Sequence, residues 1–379
     1  MSLPAPPLSL YIHVPWCVRK CPYCDFNSHA QQGELPEQAY REALLQDLTQ
    51  DLHYARERPL QSIFIGGGTP SLFGANTYAR LLDDIRQRLP FAPDIEITLE
   101  ANPGTFEQER FAAYRAAGIN RLSIGVQSFD SAHLQTLGRI HGREEALRAA
   151  TIARAAGFDN FNLDLMFGLP GQSREQALDD LRTALACAPT HLSWYQLTIE
   201  PNTEFFSRPP TLPLDDQVAA MQEAGIALLA AQGFDRYEIS AYSRPGKRAR
   251  HNLNYWQFGD YLGIGAGAHG KLSLADGRIL RTRKTRMPAH YLDPARHFTA
   301  AVQPIPAVEL PLEFMMNALR LSAGVDNALF LARTGLALEP LAPILQTLRE
   351  RRLLASAPTS LRPTPLGLQH LNEILLAFM

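Results

Sequence analysis

Three of the four cysteines in this chain lie within eight positions of one another, at Cys17, Cys21 and Cys24. Two thiols can form a disulfide and four can close a structural zinc site, whereas three thiolates on one loop can hold a metal centre with one coordination position left open. An open position lets the metal centre bind a substrate or cofactor. The spacing of the cysteines therefore indicates a reactive metal centre.

The spacing alone leaves two kinds of metal centre open. A zinc ion could be completed to a Cys3His site by His13 or His29. A [4Fe-4S] cube held by three cysteines would instead leave one iron free. Cys187 is a poor fourth ligand, because the helix predicted after the fifth strand carries it to the opposite face, where it fits a buried apolar thiol.

A second chemically suggestive stretch is the run Gly66, Gly67, Gly68 and Thr69, which follows a predicted strand. Consecutive glycines let the backbone bend sharply and approach a ligand closely. The Gly-Lys-Ser/Thr ending of a phosphate loop is absent and GxGxxG is not matched, so the run does not predict a nucleoside triphosphate site. Ordinary turn glycines are the alternative interpretation.

The elements that must position these residues alternate along the chain up to Leu197, in the manner of repeated βα units around a parallel sheet. Six strands are predicted, at residues 8–14, 62–67, 95–100, 121–127, 161–168 and 191–197. Apolar residues at three- and four-residue spacing predict helices at 37–56, 77–88, 105–117, 143–156 and 173–186. We expect an α/β fold with a partial (β/α)6 barrel of the TIM type. A doubly wound open sheet is the alternative.

Several of the predicted strands end in polar residues. The first strand leads into the cysteine loop, the third and fourth end at Glu100 and Gln127, and the fifth carries Asp164 within an apolar run. The side chains that do chemistry in β/α barrels lie at the carboxyl ends of the strands. Each residue alone could be a helix cap or a strand-edge hydrogen bond, but their convergence predicts one shared site.

The overall composition sets limits on the partners. The chain has 379 residues, with 36 Lys and Arg against 38 Asp and Glu, and its formal net charge is -2. This balance gives no global attraction to nucleic acid or to an anionic membrane. No stretch reaches about 18 uncharged apolar residues, and the N-terminus lacks a signal-peptide pattern. We therefore predict a cytoplasmic protein without a transmembrane segment, in a reducing compartment that keeps the thiols free.

The regular alternation of predicted strands and helices ends after Leu197. The elements predicted there are a helix at 215–232, a short strand near 236–243, a glycine-rich run at 259–270 and a Leu-rich helical region from about 306. We predict three domains: a barrel at 1–240, a connecting region at 241–305, and a small, mostly helical domain at 306–379. A winged-helix fold is one option for the last of these.

These features together resemble the radical S-adenosylmethionine (SAM) superfamily. The resemblance rests on Cys-x3-Cys-x2-Cys after the first strand, GGGTP after the second and the polar strand ends, and it covers most of residues 8 to about 270. It implies a [4Fe-4S] cluster on Cys17, Cys21 and Cys24, with SAM on the open iron. In that family an electron from the cluster cleaves the sulfonium and yields a 5'-deoxyadenosyl radical.

A narrower resemblance is to the branch that contains oxygen-independent coproporphyrinogen III oxidases and related heme chaperones. The motifs that carry it are LSLYIHVPWCVRKCPYCDF, IGGGTPSL, LEANP, RLSIGVQSF, LGRIHG and NLDLMFGLPGQ. It implies a set of cofactor-binding roles and no catalytic residue. Tyr11 and Tyr23 flank the cluster and SAM, and Glu100 takes part in SAM binding. Gly67, Gly68 and Thr69 are implied to line the methionyl end of SAM. A second SAM position is implied at Gln127, Arg139 and Asp164.

Two differences separate this chain from the oxidases of that branch. Their cysteine loop continues to a further cysteine, where this chain has Phe26, and they carry a longer segment before the first strand, where this chain has only a few residues before Leu8. By this resemblance, both differences point away from oxidase activity.

The stretch from His251 to Trp256, HNLNYW, matches a motif associated with heme binding in the chaperones of the branch. A neutral imidazole is a good axial ligand for heme iron, and Tyr255 and Trp256 offer flat apolar area beside a porphyrin. His251 is therefore the predicted heme ligand, with a packed core histidine as the alternative. His269 is a second, weaker candidate, and the basic run RPGKRAR could pair with heme propionates.

The resemblance thus implies a heme chaperone that binds heme and a SAM-coordinating cluster and donates heme to membrane respiratory proteins. The alternatives are an oxygen-independent coproporphyrinogen III oxidase and a zinc-stabilised binding module. We expect contact with the inner membrane only through the heme acceptors, and no nucleic-acid partner. Whether the protein forms a homodimer is left open.

Overall fold

The computed structural model describes residues 4–104 and 110–379, and its central feature is one twelve-stranded sheet. The strands are β1 (Leu8–Val14), β2 (Leu60–Gly67), β3 (Phe91–Ala101), β4 (Arg121–Gln127), β5 (Phe161–Phe167), β6 (His191–Gln196), β7 (Asp235–Glu238), β8 (Ala241–Ser243), β9 (Asp260–Ile264), β10 (His269–Ser273), β11 (Ile279–Lys284) and β12 (Thr299–Pro304). Their order across the sheet is β12-β11-β10-β9-β1-β2-β3-β4-β5-β6-β8-β7.

The seven strands from β9 and β1 through β6 are parallel, and the strands outside them are antiparallel. β1 to β6 follow one another without a reversal of order. Right-handed crossovers between strands in unbroken order place every connecting helix on the same face of the sheet, so the doubly wound alternative is excluded. The described strands at the two ends, β12 and β7, do not pair with each other. The partial barrel expected from the sequence is confirmed, in an open form.

The helices between the barrel strands are Glu37–Ala55, Ala75–Arg86, Phe111–Ala116, Ser131–Thr136, Arg143–Ala155 and Arg174–Ala186. They cover the outer face of the sheet. The side chains of β1 alternate between the two faces of the sheet. Leu8, Leu10 and Ile12 are fully buried in the main core under the helices, while Ser9 and Tyr11 between them point into the interior of the barrel. The interior of the barrel is therefore polar, and it is free to hold a site.

The sequence-predicted strands and helices agree with these bounds to within a few residues, except where a strand is longer at its amino end. The first part of the helix predicted at 105–117 lies outside the described residues. Sequence reasoning missed β9 to β12. The glycine-rich run at 259–270, which contains β9 and the start of β10, has the composition of a turn. β9 instead pairs in parallel with β1, from Leu8 opposite Asp260 to Ile12 opposite Ile264.

The C-terminal part of the chain is mostly helical. After Glu204–Ser207, Asp215–Ala231, Arg250–Trp256 and Pro288–Tyr291, its helices are Leu310–Ala318, Asn327–Thr334, Ala342–Glu350, Pro365–Gln369 and Leu371–Leu376. Val325–Asp326 and Ser360–Leu361 form a small antiparallel pair. A second apolar core, with Phe314 and Phe330 at its centre, holds these helices together. The division into three domains stays a prediction. Within the predicted connecting region, residues 260–304 contribute four strands to the barrel sheet.

None of the helices within residues 4–104 and 110–379 is both long enough and apolar enough to cross a bilayer.

Candidate functional site

The three clustered cysteines lie on a loop that is closed at its base by a short strand pair. Trp16–Cys17 runs parallel to His29–Ala30, so the intervening residues project from the carboxyl end of β1. All three thiols are free, and Cys17 is buried while Cys21 and Cys24 are half-buried. The fold therefore places the loop where β/α barrels carry their chemistry.

The three thiols line one cavity of about 260 Å³, which we call the cluster cavity. The other sequence-predicted residues that line it are Tyr23, Gly67, Gly68, Thr69, Glu100, Gln127, Arg139 and Asp164. Among the residues predicted to bind a cofactor, Tyr11, His251 and the weaker candidate His269 do not line it. Cys187 lies elsewhere, at the end of the helix Arg174–Ala186. The convergence expected from the strand ends is thus present in the structure.

The surroundings of the thiols fit a metal cluster. Burial, with the nearby Cys24 as a smaller cause, raises the pKa of Cys17 to about 11, and burial also raises the pKa of Cys24. These thiols would stay protonated near neutral pH unless a metal drew off the proton. An Arg139 guanidinium nitrogen lies 3.7 Å from Cys21 Sγ, and Ser28 Oγ lies 3.6 Å from Cys24 Sγ. Both groups could donate to cluster sulfur or thiolate.

The zinc alternative finds less support in the geometry. Within the described part of the chain, no three His, Cys, Asp or Glu side chains form a group that could hold a metal ion. His13 is already engaged at both ring nitrogens: Tyr11 donates to Nδ1 at 2.7 Å, and Nε2 donates to the carbonyl of Asn27 at 2.8 Å. Thiolates at separate corners of a cube lie farther apart than thiolates on one zinc ion, so thiols that do not form such a compact group fit a cluster better.

The glycine run packs directly against the cysteine loop. A Cβ on Gly68 would lie 2.4 Å from the carbonyl oxygen of Trp16, and Gly67 has a φ of +119°, with the ring of His13 2.6 Å from where its Cβ would be. Side chains at either position would displace the loop. The Gly67 amide donates to Glu100 Oε2 at 3.0 Å. The run is therefore more than a turn, since it brings backbone up against the base of the cluster loop.

Two inward-facing carboxyls form the floor of the cluster cavity. Burial, reinforced by the neighbouring Asp164, raises the pKa of Glu100 to about 8. Burial likewise raises the pKa of Asp164, which accepts from Ser123 Oγ at 3.0 Å. Glu100 can therefore carry a proton near neutral pH, and a cationic ligand placed against the two carboxyls would favour their charged forms.

The part of the cavity wall around Arg139 is held together by hydrogen bonds. Arg139 donates to Asn102 Oδ1 at 2.7 Å and to the Gly125 carbonyl at 2.6 Å, and Tyr195 donates to Gln127 Oε1 at 2.8 Å. Gln127 has a φ of +69°, a strained conformation that is common at binding sites. Sequence reasoning missed Asn102 and Tyr195; the position of Asn102 just after the Glu100 strand end was the available signal.

His251 lies in a different place from the other predicted residues. It is only 5% exposed, its ring stacks on Phe64 with centroids 4.3 Å apart, and its Nδ1 donates to Glu96 Oε1 at 3.2 Å. Burial lowers the pKa of His251 and would raise that of Glu96, but the hydrogen bond and the charge of Arg121 hold the Glu96 pKa below its usual range. His251 is thus a neutral, packed donor in the structure.

The rest of the HNLNYW segment, the helix Arg250–Trp256, is also engaged in packing. It contacts β1, β2 and β9. Asn252 lies 3.2 Å from the Tyr237 hydroxyl, Asn254 donates to the Asp260 carbonyl at 2.9 Å, and Arg320 of the C-terminal part lies over the Trp256 ring at 4.3 Å. The segment joins the barrel to the C-terminal helices.

A second and larger cavity, of about 570 Å³, adjoins the first, and we call it the aromatic cavity. Five aromatic rings line it: Tyr11, Phe26, Phe64, Tyr255 and Tyr261. It shares three lining residues with the cluster cavity, namely Phe26, Gly67 and Glu100. Sequence reasoning did not find this cavity, because its far wall is built by the unpredicted strands β9 to β11.

Comparisons with known proteins agree with this geometry. The Radical SAM superfamily model matches residues 11–184, and the model of the HemN C-terminal domain matches residues 305–370. The protein is thus a radical SAM protein with a HemN-type C-terminal domain, a class whose cofactors are a [4Fe-4S] cluster and SAM. The solved coproporphyrinogen III oxidase HemN of Escherichia coli superposes with a TM-score of 0.83 over 99% of this chain and 90% of that one, at 23% identity, which shows a shared fold.

Sequence relatives identify the particular family. The heme chaperone HemW of Escherichia coli is 53% identical over 99% of this chain and 98% of its own length. The HemW proteins of Haemophilus influenzae and Bacillus subtilis are 50% and 35% identical, each covering at least 98% of both chains. The chain belongs to the HemW family.

Proposed function

We propose that this protein is a heme chaperone: it binds heme, carries a SAM-coordinating [4Fe-4S] cluster and delivers heme to acceptor proteins. The observation that carries the proposal is the full-length likeness to HemW heme chaperones, at 53% identity to that of Escherichia coli. The 23% identity to the solved oxidase supports only the fold.

The proposed cluster ligands are Cys17, Cys21 and Cys24, with SAM on the iron that they leave free. Support comes from three free thiols on one cavity wall and from Glu100 and the backbone of Gly67 on its floor. Thr69 and Tyr23 are proposed to complete the surroundings of this SAM, and Gln127, Arg139 and Asp164 stay proposed for a second SAM position. The cluster and SAM supply one-electron and radical chemistry when bound, and the residues of the chain orient SAM and shield it from water.

The position of Phe26 argues against the oxidase alternative. The oxidases of the branch carry a further cysteine there, whereas Phe26 is a 59% exposed apolar side chain on the rim shared by the two cavities. We propose that the chain does not convert coproporphyrinogen III.

The heme acceptors are proposed to be respiratory proteins of the membrane, with this chain in the cytoplasm and near the inner membrane only through them. A homodimer stays a proposal as well. His251 stays a prediction for the heme ligand, although binding iron would require its buried ring to leave Phe64 and Glu96.

The experiment is anaerobic reconstitution followed by two separate tests, with heme and with coproporphyrinogen III. The reconstituted chain should hold ~4 iron and ~4 sulfide, lost in Cys→Ala variants of the three ligands and retained in Cys187→Ala. Heme should bind, and coproporphyrinogen III should be recovered unchanged in the presence of SAM and reductant. Catalytic conversion to protoporphyrinogen without heme binding would show that the proposal is wrong.

A further inference from the structure

The aromatic cavity has the size and the walls of a site for a flat apolar ligand. Its volume of about 570 Å³ falls within the usual range for small-molecule sites, about 300–1,000 Å³. Tyr11 stacks on Phe64 with ring centroids 5.9 Å apart, and Tyr255 meets Tyr261 edge to face at 4.7 Å, so the rings give the cavity a largely aromatic wall. The Glu100 carboxyl on the shared wall is neutral near pH 7, since its pKa is about 8.

One imidazole on the cavity wall is free to bind a metal. Of the two histidines that line the cavity, His13 has both ring nitrogens hydrogen-bonded. His269, at the start of β10, makes no hydrogen bond through its ring to any residue in the described part of the chain. Burial and the neighbouring arginines lower its pKa, so the imidazole is neutral, as an iron ligand must be. His269 is exposed, and a ligand in the cavity can reach it.

Two arginines at the same wall lack an anionic partner. Arg283 lies directly opposite His269 in the β10–β11 pairing, and Arg286 follows shortly after. Both are exposed, and neither forms an ion pair with any residue described in the structure. Arg281, by contrast, is held by Glu313 at 2.5 Å. Two acidic side chains, Asp25 and Glu100, also line the cavity, and neither forms an ion pair with these arginines among the described residues.

We propose that heme occupies the aromatic cavity, with His269 as an axial ligand of its iron and with Arg283 and Arg286 bound to its propionates. The proposal rests on the proposed heme-chaperone function and adds the place and the ligands of the heme. Paired guanidiniums suit carboxylates, and the aromatic rings of the cavity offer apolar contact area to the porphyrin. The heme then lies against the wall shared with the cluster cavity, through Phe26, Gly67 and Glu100.

This placement gives His251 a positioning role. Its ring stacks on the side of Phe64 within a buried contact, while Phe64 itself lines the aromatic cavity. Loss of His251 would therefore loosen one wall without removing the iron ligand. If His269 binds the iron, its substitution should change the spectrum of bound heme, whereas substitution of His251 should keep the ligand signature. This difference allows a direct test.

The test uses anaerobically reconstituted full-length protein, titrated in parallel with heme and with iron-free protoporphyrin IX. His269→Ala should change the ferric EPR and visible spectra of bound heme, and added imidazole should restore them, while the affinity for protoporphyrin IX stays as in the unmodified chain. Arg283→Gln with Arg286→Gln should weaken binding of both porphyrins about tenfold or more. The matched controls are His290→Ala and Arg278→Gln, exposed residues outside the cavity lining, which should leave binding unchanged.

The outcomes separate this inference from the proposed function. If the unmodified chain binds no heme, the proposed function fails and this inference fails with it. If it binds heme but His269→Ala keeps the original spectra, or if His251→Ala alone abolishes the ligand signature, heme binding stands and the assignment to His269 is overturned. Loss of protoporphyrin IX binding in His269→Ala would also overturn it, because the histidine would then be shaping the cavity rather than binding iron.

Discussion

Glu100 lies on the wall between the two cavities, and its protonation links them. Burial and the adjacent Asp164 raise its pKa to about 8, so it is largely neutral at pH 7. Its Oε2 accepts the Gly67 amide, which fixes the carboxyl at the floor of the cluster cavity. A cationic sulfonium ligand at this floor would favour the carboxylate and so release a proton.

This behaviour predicts a pH-dependent affinity for SAM. The affinity should rise as pH increases from 6 toward about 8 and then level off, because below the pKa of Glu100 binding must remove its proton. Glu100→Gln should bind more weakly and lose the rise. Titration of the reconstituted cluster with SAM at several pH values measures both effects. A rise of equal size in the Gln variant would place the titrating group elsewhere.

His251 shows where sequence reasoning could not decide. Its residue type and its aromatic neighbours suit a heme ligand and a packed donor equally, and only the burial of its ring against Phe64 and Glu96 separates the two. The cysteines were predictable because their chemistry depends on spacing within one loop. His269 was at best a weak candidate, because its partners Arg283 and Tyr11 come from strands that are distant in sequence.

The packing of His251 predicts a loss of stability on substitution. His251→Ala removes one of two hydrogen bonds to the buried Glu96 carboxylate, leaving that from the Arg250 amide, and should lower the free energy of unfolding by about 1–3 kcal/mol. His251→Asn, whose amide can replace Nδ1 as donor, should recover part of the loss. Chemical denaturation measures the change, with His290→Ala as the exposed control. An unfolding free energy unchanged in His251→Ala would contradict the buried contact.

Among the elements, the loop after β2 explains why the cluster site depends on glycine. Gly68 approaches the carbonyl of Trp16 at the base of the cysteine loop, where no Cβ fits. Strands ending in polar residues were predictable, since parallel strands bring their carboxyl ends to one edge. The glycines of β9 and β10 misled sequence reasoning, because Gly263 and Gly270 serve close strand packing, with a Cβ on Gly263 meeting His269 O at 2.0 Å.

This close approach predicts that Gly68→Ala impairs cluster assembly. The added methyl group must displace the Trp16 backbone and with it Cys17, so reconstituted protein should contain less iron and sulfide and show weaker charge-transfer absorption. The control is Gly142→Ala, since a Cβ there meets nothing within 4 Å and the backbone is not left-handed. Equal iron content in both variants would contradict the close packing of the glycine loop.

At the scale of the whole molecule, one sheet carries both cavities. β1 lies between β2, which leads to the glycine run, and β9, which leads to the His269 hairpin. A buried network also fastens the hairpin to the first barrel helix, where Lys284 donates to Asp47 at 2.5 Å and to Asp51 at 2.7 Å. The two sites are therefore built on a single rigid support, with Phe26, Gly67 and Glu100 common to both.

The shared wall predicts coupling between SAM and heme. SAM in the cluster cavity would pack against the shared wall and exclude water from that side. The affinity for heme should therefore be higher with SAM present, by a factor of roughly 5 or more. Thermodynamic linkage requires heme to strengthen SAM binding by the same factor. Calorimetric titration of each ligand with and without the other measures both factors. Independent affinities would show that the two cavities do not share a ligand-bearing wall.

Delivery of heme is the central claim, and transfer to an acceptor tests it most directly. Heme-loaded protein is mixed with respiratory membranes depleted of heme, and the absorption of the reconstituted cytochromes is followed over time beside an equal amount of heme on serum albumin. We predict that heme leaves this chain for the membrane proteins faster than it leaves albumin. Transfer no faster than from albumin, or heme retained on the chain, would contradict the assignment as a heme chaperone.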